Sequence, residues 1–404
     1  MPEEGSDTAR DGAFRFAYDP GVLRYGSADD LHGELDALGA DRALVVCGET
    51  VGSTPAAVDP VTDGLGENLA GVFAGTTPEK RLETAFEGLD AMRARDADAI
   101  VGLGGGSSLD LAKVIAVLAA RDADPEVIGR ELAETGSIRV PPGSLPPIVA
   151  VPTTLAGADL SIVAGVTASP SSGLVPEPAS GGVSDPRLMP GAVVYDPTLF
   201  ATTPEDVLRA SAMNGFDKGI ETLYARAATP VTDATATRGL SLLRRGLPTL
   251  GSEGANETTL RPVLRGTMLV QYGISRPGET TLSIIHAFGH GLRREGVQQG
   301  LAHAVVAPAV LSYLFDRVPG RRGLLAAALG VGDAPDPAEA VVEEVTRVRD
   351  ALGLPGRLRD VDGPEPVDLP AVAERILGDG FMRNAPAGLD PTAEGIEAVL
   401  RDAW

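Results

Sequence analysis

Short apolar runs alternate with amphipathic stretches over the first half of the chain, and this alternation stops near residue 200. Arg42–Cys47 reads as a strand, Pro78–Arg95 as an amphipathic helix, and Ala99–Leu103 as a second strand that runs into Gly104-Gly105-Gly106. A helix is expected from about Ser108 to Ala120, followed by another buried strand at Pro147–Val151. Strands separated by helices imply a parallel sheet with right-handed crossovers. Residues 169–191, rich in Pro, Gly and Ser, predict a long loop or hairpin, and Ala192–Tyr195 the last strand before Asp196-Pro197. From Pro204 onward the periodicity is mainly helical, with breaks expected at Gly246–Gly254, Gly278, Gly296–Gly300 and Gly353–Pro370. The pattern predicts a disordered polar tail at 1–13, an α/β domain of Rossmann-like type at 14–199 and an all-helical domain at 200–404. No repeat occurs at solenoid periods.

A length of 404 residues with 43% hydrophobic content is ample for two cored domains. Acidic residues outnumber basic ones 56 to 34, which gives a net charge of −22 and a pI near 4.6. Lys80, Lys113 and Lys218 are the only lysines, so arginine supplies 31 of the 34 basic residues. This balance suits multimolar salt, where a Debye length of about 3 Å at 1 M screens the self-repulsion. No basic stripe exists to neutralise phosphates, so nucleic acid is not an expected partner. No run of about 18 apolar residues and no signal-peptide pattern is present, so a cytoplasmic protein away from membranes is expected. The single cysteine, Cys47, lies in an apolar run and reads as a buried strand residue, not a nucleophile.

Chemistry concentrates in two places. The glycine run Gly104-Gly105-Gly106-Ser107 follows a strand and opens a helix, where backbone N–H groups and the helix dipole suit a pyrophosphate. On spacing alone it is equally a plain turn, because it matches neither the usual dinucleotide fingerprint nor the P-loop. The second place is histidine-rich. Of four histidines, His286, His290 and His303 fall within eighteen residues, while His32 reads as a surface residue. Asn214, Lys218 and Glu221 share one helix face at i, i+4 and i+7, and His286 and His290 share another at i, i+4.

The order Gly-Gly-Gly-Ser-x-x-Asp110-x-Ala-Lys113, Val151-Pro152-Thr153-Thr154, Tyr195-Asp196-Pro197 and the two-histidine helix resembles the iron-containing alcohol dehydrogenase superfamily, related to dehydroquinate synthase. The resemblance spans about residues 20–320. It implies a dehydroquinate synthase-like fold with NAD or NADP bound by Gly104, Gly105, Gly106, Ser107, Asp110, Lys113, Thr153 and Thr154. At the position where many relatives place a ribose-binding aspartate the chain reads Gly48-Glu49, which leaves both nucleotides open. A homodimer and a small-molecule substrate are implied as well.

The family's metal site does not carry over. Metal-dependent members present Asp-x-x-x-His-x-x-Glu on the first helix of the second domain, where this chain has Asn214, Lys218 and Glu221. The next ligand matches His286, and the last falls on Gln299. An ammonium at the second position repels a dication, so no metal is expected. A shifted set, Asp217, Glu221, His286 and His303, is the competing arrangement. The segments Met213–Ala225, Thr153–Asp159 and Ala302-His303-Ala304 are similar to the maleylacetate reductases, which reduce a carbonyl with NAD(P)H and need no metal. Lys218 and Gln299 stand where those enzymes have histidines.

Hydride addition to a carbonyl builds charge on oxygen, which needs fixed donors or an acid in place of the metal. Lys218, His286, His290 and Asn214 are the expected catalytic set, in a metal-independent NAD(P)H-dependent reductase of a small oxo-acid or ketone. The alternatives are a metal-dependent alcohol dehydrogenase using the shifted ligands and a dehydroquinate synthase-like lyase or cyclase.

Overall fold

The computed structural model describes residue 14 and residues 16–404, so the tail expected at 1–13 lies outside the described residues. The chain divides into two compact units. One comprises Asp19–Pro204 with Ser275–Pro277, and the other comprises residues 16–18 with Glu205–Ile274 and Gly278–Trp404. The division falls at Pro204/Glu205, where 199/200 was expected, and a short N-terminal piece joins the helical unit. Its anchor is aromatic: Tyr18 packs edge-on against Tyr272 with ring centres 4.8 Å apart.

The α/β unit is built on six parallel strands: β1 (Val22–Tyr25), β2 (Ala43–Gly48), β3 (Leu69–Thr76), β4 (Ala99–Gly104), β5 (Ile148–Pro152) and, after the hairpin strands β6 (Val163–Ala168) and β7 (Ala179–Ser184), β8 (Ala192–Tyr195). Their order in the sheet is β1-β8-β5-β4-β2-β3. Both faces are covered. Ala43, Val45, Cys47, Val101, Leu103, Val149 and Val194 pack against helices Leu31–Leu38 and Pro55–Leu65. Leu44, Val46, Ile100 and Ile148 pack on the opposite side against helices Leu82–Arg93 and Gly106–Ala119. A strand buried on both faces has no polar alternation, which is why these runs were legible as continuous apolar segments.

The expected helix at Pro78–Arg95 begins only at Leu82. Lys80 adopts φ 56°, outside the right-handed region, and its carbonyl accepts Thr167 N–H at 3.0 Å, so residues 77–81 are drawn onto β6 instead. The 169–191 segment supplies β7, antiparallel to β6. Strands β1 and β3 escaped the sequence reading: they are the two sheet edges, only partly buried, and β3 carries Gly71 and Gly75.

In the helical unit the break expected across Gly246–Gly254 is confined to its end, because helix Pro230–Glu253 runs through Gly246 and stops at Gly254, φ +72°. The internal glycines serve close packing against helix Glu257–Gln271: a Cβ on Gly239 would sit 2.8 Å from Gly266 O, and one on Gly266 3.0 Å from Gly239 O. Likewise Gly300 is helical, inside Gln299–Phe315, and only Gly296 of that expected break has positive φ. Helix Glu205–Tyr224 is almost wholly buried from Ala210 to Tyr224 and carries Asn214, Asp217, Lys218, Glu221 and Thr222 into the interior.

Candidate active site

Within the α/β unit, β2 leads to β3 on one side and β4 lies on the other, so the carboxyl ends of β2 and β4 mark the point where strand order reverses. In open α/β sheets ligands bind there. Gly48-Glu49 ends β2, the glycine run ends β4, and Thr153-Thr154 ends the neighbouring β5. Thr153 N–H donates to Gly104 O at 3.0 Å, which ties the two loops together, and Thr203 Oγ1 donates to Thr153 O at 2.7 Å. Gly104 sits at φ +129°, a conformation that L side chains rarely adopt. The helix starts at Gly106, two residues earlier than expected, with Gly105 as an N-cap that makes no side-chain hydrogen bond. First-turn N–H groups of such a helix lack internal acceptors. Gly105, Gly106, Ser107 and Thr154 are partly exposed, and Cβ atoms on the two glycines would already touch Thr154 and Ala158 at 3.3 and 3.4 Å. The loop is therefore a shallow backbone cradle that fits a dinucleotide's phosphates.

Asp110 and Lys113 stand behind this loop, not on its surface. Asp110 accepts from Lys80 Nζ and from Gly165 N–H, joining the helix to the β6–β7 hairpin. Lys113 is fully buried and donates to Ala158 O at 2.7 Å. Burial pushes its ammonium down to about 8, against the opposing pull of Asp110 and Asp159. Lys113 thus braces the loop that follows Thr153 and Thr154 and Asp110 the hairpin, whereas Glu49 is exposed just after β2.

In the helical unit, helices Glu205–Tyr224, Ile284–Arg293 and Gln299–Phe315 bring two carboxyls and two imidazoles into contact. Glu221 Oε1 accepts His286 backbone N–H at 3.0 Å, and Oε2 lies 2.5 Å from His286 Nδ1. One carboxyl thus caps the start of a neighbouring helix and grips its first histidine. Burial favours the neutral members: Glu221 is pushed up to about 7 and His286 well below the usual imidazole range, where the Lys218 and His290 charges add to the effect. Asp217 Oδ2 lies 3.4 Å from His303 Nδ1, and burial drives both toward neutrality, Asp217 well up and His303 well down. The His286 and His303 rings meet edge-on at 4.4 Å.

Lys218 Nζ donates to Gln271 Oε1 at 3.4 Å. Asn214 Oδ1, both Asp217 oxygens, Gln271 Nε2, His286 Nε2 and both His303 ring nitrogens are buried and have no hydrogen-bond partner among the described residues. That many unpartnered atoms in one cluster make it the candidate site of the helical unit. His290 differs, with a side chain 37% exposed and Nδ1 3.0 Å from Asp379 Oδ2. Gln299 is partly exposed at the start of its helix, and His32 lies at the surface beside Asp30. Sequence spacing supplied no pointer to Gln271 or Asp379, which are singletons far along the chain. In the family register an amide (Asn214), an ammonium (Lys218) and a carboxamide (Gln299) occupy three of the four ligand positions, a donor set that does not fit a dication. Among the described residues no three His, Cys, Asp or Glu side chains are placed to share an ion. Nor is any described helix long and apolar enough to cross a membrane.

A parallel α/β unit with a glycine cradle at its switch point, continued by a helical unit with a buried ionisable cluster, defines a two-domain nucleotide-dependent oxidoreductase of dehydroquinate synthase-like fold. The chain belongs to the iron-containing alcohol dehydrogenase family: residues 21–197 match the iron-containing alcohol dehydrogenase model and residues 209–404 its C-terminal counterpart. It is 29% identical to a maleylacetate reductase of Pseudomonas aeruginosa over 372 residues, which is 92% of this chain and 91% of that one. It is 28% identical to a 1,3-propanediol dehydrogenase of Klebsiella pneumoniae, covering 91% and 92%. The crystal structure of a 1,3-propanediol oxidoreductase superposes with a TM-score of 0.85 at 25% identity, over 97% of this chain and all of the other. The protein is an NAD(P)-dependent oxidoreductase of reductase or alcohol dehydrogenase type.

Proposed function

We propose that the protein is a metal-independent reductase of a small oxo-acid or ketone, maleylacetate reductase-like, with NADH or NADPH as reductant. The observation that carries this reading is Lys218: a buried ammonium stands at a position where metal-dependent relatives have a histidine ligand, and its charge is felt by His286. Gly104, Gly105, Gly106, Ser107, Thr153 and Thr154 hold the nucleotide, and Gly48 and Glu49 meet its adenosine end. When bound, the reduced nicotinamide supplies hydride. The residues of the chain then handle the charge that develops on the carbonyl oxygen. Lys218 offers a fixed positive charge in a site shielded from water, where such charge acts most strongly. Asn214 offers a neutral amide on the same helix face. His286 is held by Glu221, and His290, which unlike His286 and His303 reaches solvent, delivers the proton and recovers it from water.

A second reading rests on the burial of the pairs Glu221–His286 and Asp217–His303 side by side, the shifted ligand set of a metal-dependent alcohol dehydrogenase, whose side chains would have to draw together to share an ion. One experiment separates the two. The enzyme is purified in multimolar KCl, and NADH and NADPH oxidation with maleylacetate is followed before and after chelation. Unchanged turnover after chelation, with a loss of about 100-fold or more in Lys218→Met, supports the metal-free reading. Activity that vanishes on chelation and returns with Zn or Fe refutes it.

A further inference from the structure

We infer that Asp379 is a positioning residue for His290, holding the ring so that Nδ1 keeps its hydrogen toward the carboxylate and Nε2 is the nitrogen from which the proton is delivered. The inference rests on the reduction proposed above. Its grounds are geometric. Asp379 lies 89 residues beyond His290, yet Oδ2 approaches His290 Nδ1 to 3.0 Å. The other oxygen, Oδ1, accepts Phe381 N–H at 2.9 Å as the cap of the turn Gly380–Asn384, so the carboxylate is held from both sides. Its side chain is only 13% exposed. The Phe381 ring packs 5.0 Å from His290 and 6.1 Å edge-on from His286, closing the third side of the ring.

Burial raises the Asp379 carboxyl, but the hydrogen bonds from His290 and Phe381 and the charges of His290 and Arg294 outweigh it, and the group ends below its ordinary value. An ionised carboxylate only accepts, so the nitrogen facing it must carry hydrogen. Nε2 then bears a proton only in the imidazolium. Its transfer breaks Nε2–H, forms O–H on the reduced carbonyl oxygen and leaves a neutral Nδ1–H imidazole, which regains a proton from water. His286 and His303, 2% and 0% exposed, have no such access. Orientation of a histidine by a partly buried carboxylate follows the logic of the hydrolase triads.

The test uses the full chain in its working salt. With four histidines in the sequence, ring tautomers are read by long-range 15N–1H correlation after histidine labelling, with His290→Gln to assign the signals. The wild type is expected to show hydrogen on Nδ1 of neutral His290. Asp379→Asn keeps the cap on Phe381 N–H but presents an NH2 to the ring, which moves the hydrogen to Nε2. Asp379→Ser keeps a good cap and loses the ring contact. Both variants are expected to lose about ten- to a hundredfold in kcat with maleylacetate, with KM for the nucleotide within twofold of wild type. A His290 tautomer unmoved by Asp379→Asn, or full kcat in Asp379→Ser, overturns the inference. Full kcat in His290→Gln instead sinks the proton-donor reading on which it rests.

Discussion

Replacing Gly289 by alanine is a sharp probe of the buried cluster. Gly289 lies between His286 and His290 on their helix, and a Cβ there would stand 2.2 Å from His303 Nε2 and 2.5 Å from Cδ2, against an ordinary contact of 3.4 Å or more. The His303 ring would have to retreat by more than an ångström. It has nowhere to go, being 0% exposed, edge-on to His286 at 4.4 Å and 3.4 Å from Asp217. A clash this close places the cost in the upper part of the usual overpacking range, about 2–3 kcal/mol, offset by about 1 kcal/mol of helix propensity gained on replacing glycine. The net expectation is a loss of about 1–2 kcal/mol, a fall of about 2–8 °C in the melting of the helical unit. Because the displaced ring presses on His286, kcat falls too. The control is Gly323→Ala, exposed in helix Arg322–Ala328 with no atom within 4 Å of the added carbon. It is expected to gain about 0.5–1 kcal/mol from propensity alone. Calorimetry of the pair in the same salt decides the matter. If Gly289→Ala is as stable as wild type, or gains as Gly323→Ala does, the packing of His303 described above is wrong.

Two further outcomes follow from buried groups in the α/β unit. Lys113 has a folded value of about 8 against 10.5 ordinarily. Between these values the unfolded chain binds the extra proton, so the Lys113 contribution to stability rises with pH and is lost as pH falls through 8. Between pH 8 and 10, denaturant unfolding of wild type relative to Lys113→Met should gain about 2 kcal/mol, and a flat difference refutes the burial argument. Burial raises the Cys47 thiol to about 11. Ellman's reagent should therefore react with native protein far more slowly than with protein in denaturant, and equal rates would show an accessible thiol.

What the sequence by itself determined is what depends on neighbours along the chain. Ala-Leu-Val-Val-Cys and Ala-Ile-Val-Gly-Leu announce strands covered on both faces because no polar residue alternates within them. The glycine run after β4 is likewise legible, since a backbone cradle needs glycine wherever it occurs. The i, i+4 spacing of Asn214 and Lys218, and of His286 and His290, fixes which residues share a helix face. It does not fix which faces meet. The tertiary structure decided that Glu221 grips His286, that Asp217 abuts His303 and that Asp379 reaches His290. These pairs depend on how helices cross. The glycines make the same point, because Gly246 and Gly254 look alike as letters. One keeps helical geometry to admit Pro262 and Val263, and the other turns to φ +72° and ends the helix. Only the packed neighbour tells a close approach from a stop.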